Sequence, residues 1–105
     1  MGKRAAEYDA TEFIETDEDA VAYLRAALEE GDPALLTAAL GDVARARGMT
    51  QLARDTGITR DGLYKALSPT GNPSFVTVYK VMQALGYRLD VTIIEPADSH
   101  TYTMS

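Results

Sequence analysis

Residues 49–67, MTQLARDTGITRDGLYKAL, decide how the rest of the chain is read. Two short runs with helical spacing flank Gly57, a residue free to take the left-handed conformation that ends one helix and redirects the chain into the next. The spacing predicts a first short helix opening at Gln51, Leu52 and Ala53, and a second capped by Thr59 and running to about Leu67. Leu52, Ala53 and Thr56 before the turn, Ile58 in it, and Leu63, Ala66 and Leu67 after it fall where two crossing helices touch. The stretch therefore reads as a DNA-binding helix-turn-helix; the plainer alternative is a helix pair that only builds a core.

The candidate DNA-contacting residues are Gln51, Thr59, Arg60, Asp61, Tyr64 and Lys65. In the usual docking the second helix enters the major groove by its N-terminal residues, which puts Thr59 and Arg60 nearest the bases. Arg60 is suited to fork onto guanine and Lys65 to reach phosphate, while Asp61 either accepts from cytosine or orients Arg60. Tyr64 either faces the DNA or packs on the domain surface. Gly62 weakens the helix and lets its backbone approach the groove. Arg45, Arg47, Arg54 and Lys80 add positive charge nearby, or are ordinary solvated helix positions; Ser68 and Thr70 are explained by turn chemistry.

Upstream, Thr16 with Asp19 forms a weak capping box for a helix ending at Gly31, with Ala20, Val21, Leu24, Ala27 and Leu28 on its apolar side. Asp32 and Pro33 give a cap and a first-turn proline for a second helix to about Arg47, whose face of Leu35, Leu36, Ala39, Leu40 and Val43 is the expected centre of the core. Gly41 within it marks either a close neighbouring backbone or a tolerated defect. Downstream, Asn72 and Pro73 predict another helix start, with Val76, Val78 or Tyr79, Met82 and Leu85 facing inward and Phe75 packed nearby. Residues 87–94 then alternate, Tyr87, Leu89, Val91 and Ile93 against Arg88, Asp90, Thr92 and Ile94, which predicts a β-strand. A lone strand needs a partner. The candidates are a short extended piece at 11–14, a second copy of the chain, or another protein. The favoured expectation is a homodimer paired across a two-fold axis, which sets two recognition helices about 34 Å apart on double-stranded operator DNA.

The chain of 105 residues supports one domain, expected over residues 16–94, between a mobile acidic N-terminal arm at 1–15 and a polar tail at 95–105. The net charge of -6 looks unsuited to a nucleic-acid binder, but residues 1–30 hold three basic and nine acidic side chains and so carry all of it. From Val43 to Arg88 seven basic residues face only Asp55 and Asp61. An acidic arm on a basic centre suggests two differently charged partners. The acidic arm also has a plain reading, a solvated helix with its carboxylates well placed for the helix dipole. With no cysteine, no signal peptide and no long apolar run, a cytoplasmic protein without membrane contact is expected. Enzyme chemistry, cofactors and metals are not expected. The sole histidine, His100, lies in the tail, no phosphate-binding glycine loop is present, and Asp17, Glu18 and Asp19 diverge around a helix.

Residues 8–94 resemble the addiction-module antidote proteins, HigA-like antitoxins of type II toxin-antitoxin pairs within the Xre/Cro group. The resemblance rests on EGDPALLTAALGDVARARGMTQLARDTGITRDGLYKALSPTGNPSFVTVYKVMQALGYRLDV, with DGLYKALSPTGNPSF and ALGYRL its most specific parts. It implies a mainly α, five-helix lambda-repressor-like domain, here followed by the C-terminal strand. It also implies a dimeric antitoxin that represses its own operon and neutralises a RelE/HigB-like toxin that cleaves messenger RNA. It assigns no base-contacting residues, so those named above rest on helix geometry. Two other readings stand beside it: a stand-alone phage-type repressor without a toxin, and an interaction module that has lost DNA binding.

Overall fold

Among the described residues, four of the five α-helices start at a side chain that satisfies a backbone N–H group; the helix that begins at Met49 follows Gly48 and has no side-chain cap. In the computed structural model, which describes residues 10–94, Thr16 caps α1 (Asp17–Glu30): its hydroxyl accepts from the Asp19 N–H at 3.0 Å, and the Asp19 carboxylate accepts from the N–H groups of Glu15 and Thr16. Those two backbone bonds hold the Asp19 carboxyl below its ordinary pKa. Gly31, at φ 74°, ends α1, and Asp32 accepts from the Ala34 N–H at 3.0 Å to start α2 (Pro33–Arg47). Next come α3 (Met49–Thr56), two residues earlier than Gln51, then α4 (Arg60–Ala66) and α5 (Phe75–Leu85).

The chain is mainly helical, as expected, but several local expectations need correction. Residues 11–14 are not extended: Ala10–Phe13 forms a 3-10 helix, with the Ile14 N–H on the Thr11 carbonyl at 3.2 Å. The cap of α5 is Ser74, which accepts from the Thr77 N–H at 3.1 Å, not Asn72; its hydroxyl supplies the acceptor two residues later. The C-terminal β-strand at 87–94 is absent, and no strand occurs among the described residues. A strand exists only through ladder bonds to a neighbour, and the nearest candidate, residues 11–14, has turned its backbone into the 3-10 helix. The segment is anchored at its root by the Tyr87 N–H on the Met82 carbonyl at 2.9 Å. Tyr87 and Leu89 lean on the core, whereas Val91, Ile93 and Ile94 are 92%, 79% and 80% exposed.

The core is centred on α2. Leu40, Val43, Leu52, Leu63 and Val81 are its largest fully buried side chains, drawn from α2, α3, α4 and α5. Each is worth roughly 1.5–3 kcal/mol of burial. Leu28 and Leu35, expected on inner faces, lie exposed where α1 passes into α2. On α5 the buried stripe is Val81, Met82 and Leu85 with Val78 beside it, so Phe75 and Val76 face outward. Gly41 is a close approach: an added Cβ would collide with the carbonyl oxygen of Leu67, so α2 meets the end of α4 backbone to backbone.

Arg47, at the end of α2, ties distant segments together. Its guanidinium donates to Asp17 at 2.8 Å, to the Leu85 carbonyl at 3.1 Å and to the Tyr87 hydroxyl at 3.1 Å, and Tyr87 in turn donates to Asp17 at 2.8 Å.

Candidate nucleic-acid interface

Between α3 and α4 the chain turns in three residues. Gly57, at φ 78°, donates its N–H to the Ala53 carbonyl at 3.0 Å. The Thr56 hydroxyl donates back to Leu52 at 2.8 Å and accepts from the Ile58 N–H at 3.1 Å, so the turn's polar groups are satisfied locally. Leu52 and Leu63 meet inside the core, and Ala53 and Ile58 pack against it. This leaves one side of each helix to solvent.

All six candidates, Gln51, Thr59, Arg60, Asp61, Tyr64 and Lys65, are exposed there. Their pairings refine the roles expected of them. The Thr59 hydroxyl oxygen is engaged as the α4 cap, accepting from the Gly62 N–H at 3.0 Å, which uses one of its two lone pairs and leaves its proton and the other lone pair for a partner outside. Gly62 serves that cap: a Cβ there would come 2.9 Å from the Thr59 oxygen. The Arg60 guanidinium lies over the Tyr64 ring, 5.6 Å from its centroid, one helical turn away. The ring thus holds Arg60 without occupying its donors. Asp61 does not orient Arg60; its carboxylate stands 3.6 Å from the Lys65 ammonium, with both side chains about four-fifths exposed. So open a pair contributes little to stability. It does offset part of the positive field that Lys65 would present alone.

On α3, Gln51 donates to Asp55 at 2.8 Å and accepts a long contact from Arg54 at 3.5 Å. Arg54 therefore joins this face, although it is not among the six; its i+3 spacing from Gln51 was the available signal. Arg45 and Arg47 do not contribute. Arg45 is paired with Asp42, which also accepts from the Tyr23 hydroxyl at 2.6 Å, and Arg47 is committed to Asp17, Leu85 and Tyr87. Ser68 donates to the Lys65 carbonyl at 3.0 Å and so stabilises the turn after α4. On the outward side of α3 and α4 the cations are Arg54, Arg60 and Lys65, suited to phosphate and base edges, while Lys80 is exposed on α5.

Among the described residues no cluster of three or more histidine, cysteine or carboxylate side chains is placed to hold a metal, and no helix is long and apolar enough to cross a membrane. No solved structure matches the chain. An uncharacterized protein of Haemophilus influenzae is 50% identical over 91 residues, covering 87% of this chain and 94% of that protein. Residues 4–93 match the family model described as "Probable addiction module antidote protein". By that match, which takes in every helix and the turn between α3 and α4, the chain belongs to the addiction module antidote family.

Proposed function

We propose that the protein is the antitoxin of a type II toxin-antitoxin module, that it neutralises a RelE/HigB-like, mRNA-cleaving toxin by direct binding, and that as a homodimer it represses its own operon in the cytoplasm. The observation that carries the reading is family membership across residues 4–93. The DNA-binding part is supported by the α3–α4 pair, whose outward side gathers Gln51, Arg54, Arg60, Tyr64 and Lys65 while its inner side is fixed by Leu52 and Leu63. The toxin-binding part is supported by the charge split. Asp17, Glu18 and Asp19 are exposed at the start of α1, and residues 1–30 carry the whole net charge. A toxin that handles RNA needs a basic surface, and an acidic segment would both speed capture and cover that surface.

Co-expression with the product of the adjacent gene tests the first part, scored by growth rescue and co-purification. A neighbour that is harmless alone and never co-purifies would leave a stand-alone repressor. Binding to the promoter fragment across a salt series tests the second: affinity should fall steeply as salt rises, and Arg60→Ala should cost about 1–3 kcal/mol. Promoter binding that is absent, or indifferent to salt and to Arg60, removes the repressor role. A chain lacking residues 1–15 that still inhibited the toxin at full strength would rule out a leading role for the acidic arm.

A further inference from the structure

One surface plays no part in this scheme. On the solvent side of α5, Phe75, Val76 and Tyr79 are 71%, 60% and 46% exposed, and the rings of Phe75 and Tyr79 lie 6.0 Å apart. With Val81, Met82 and Leu85 turned to the core, helical periodicity throws Val76, Tyr79, Lys80 and Gln83 to the opposite side. Between that side and the last turn of α3 runs an open groove lined by Val76, Tyr79, Lys80 and Asp55. Lys80 is within ion-pair distance of no carboxylate among the described residues, and Asp55 accepts only the amide of Gln51.

We propose that this groove is the surface through which two copies of the chain meet about a two-fold axis; the inference rests on the homodimer reading above and locates its interface. In an isologous contact every pairing occurs twice with the roles exchanged. A groove with an apolar floor, one carboxylate on the α3 wall and one ammonium on the α5 wall is complementary to itself, because a half-turn sets Asp55 against Lys80 of the partner subunit and Lys80 against Asp55 of the partner subunit. A strongly basic partner would meet Lys80 as repulsion. DNA would meet Asp55 the same way and gain nothing from Phe75 and Val76. The groove also adjoins the candidate interface, since Asp55 is bonded to Gln51 one turn away on α3, so docking here brings two such faces together near the axis.

Sedimentation velocity of the full chain in the micromolar range is the test. The wild type is expected to be dimeric. Val76→Glu is expected to be monomeric with unchanged helix content, because the position is exposed in the single chain. Lys80→Asp should weaken the dimer at least about tenfold, and Asp55→Lys combined with it should restore association. A monomeric wild type would overturn the dimer reading itself, and the groove with it. If the wild type is dimeric but neither Val76→Glu nor Lys80→Asp changes its affinity, the groove is overturned and the dimer stands. The groove is likewise overturned, and the dimer kept, if only substitutions at Val91 or Ile93 dissociate it.

Discussion

Residues 49–67 and residues 87–94 are both legible as patterns, yet only the first folds as its pattern predicts. The α3–α4 stretch closes its hydrogen bonds within itself: Thr56 and Thr59 each take a backbone N–H, and Gly57 turns the chain without strain. Its apolar residues Leu52 and Leu63 enter a core shared with α2 and α5. The alternating segment after α5 has the composition of a strand, but every ladder bond it would make belongs to another piece of backbone. A helix makes its backbone hydrogen bonds within its own segment, though ones as short as α3 and α4 also need the core; a strand makes them only with a partner. Periodicity thus predicts which side chains share a face and leaves open whether anything lies opposite.

Four measurements sharpen that contrast. The largest effect is expected at Leu63, fully buried where α4 meets the core: Leu63→Ala should lower unfolding free energy by about 3 kcal/mol in urea titrations. A loss below about 1 kcal/mol would mean that α4 is not held by the core as described. At the turn, Gly57→Ala forces a side chain into φ 78° and should cost about 1–2 kcal/mol, read from the same titration. The root of the other region is tested by pH. Burial, together with the hydrogen bond to Asp17 and its charge, raises the Tyr87 hydroxyl above the usual 10.0. A folded-state pKa raised above the unfolded one means this contribution is fully present below the ordinary tyrosine value and is lost as pH rises through the folded one. Melting curves on the alkaline side should therefore show a decline that Tyr87→Phe lessens. The smallest effect belongs to the segment's far end, where Ile93→Ser should change single-chain stability by less than about 0.5 kcal/mol. A larger loss would show that Ile93 packs on its own domain.

The legible parts of the molecule share one physical trait, locality. Thr16 with Asp19, and Asp32 with Pro33, set helix starts through bonds spanning two or three residues, and these starts are where the spacing puts them. On α5 the polar Lys80 and Gln83 mark the outer side, but Val76 and Tyr79 share it, so reading inward faces from apolar type alone conceals Val81 and turns Phe75 and Val76 inward. That Gln51, Thr59, Arg60, Asp61, Tyr64 and Lys65 face water is readable because α3 and α4 each bury one stripe, through Leu52 and Leu63. The pairing of Arg60 with Tyr64 and of Asp61 with Lys65 follows from i,i+4 spacing, which the sequence also displays. Arg47 is not readable. Its partners lie 30, 38 and 40 residues away, and no local pattern distinguishes it from a solvated arginine.

That arginine has a consequence for how the chain comes apart. The Tyr87–Asp17 bond joins residues 70 apart in sequence, so it closes a loop around nearly the whole folded unit. The length of that loop adds only slightly to its cost, but the bond lies in the open, with the Asp17 side chain 71% exposed, and bonds so exposed are expected to open before those of the core. The first turn of α1 and the segment after α5 should therefore fray together. A protease that gains access at one end would find the other end already loosened, while α3 and α4 still hold.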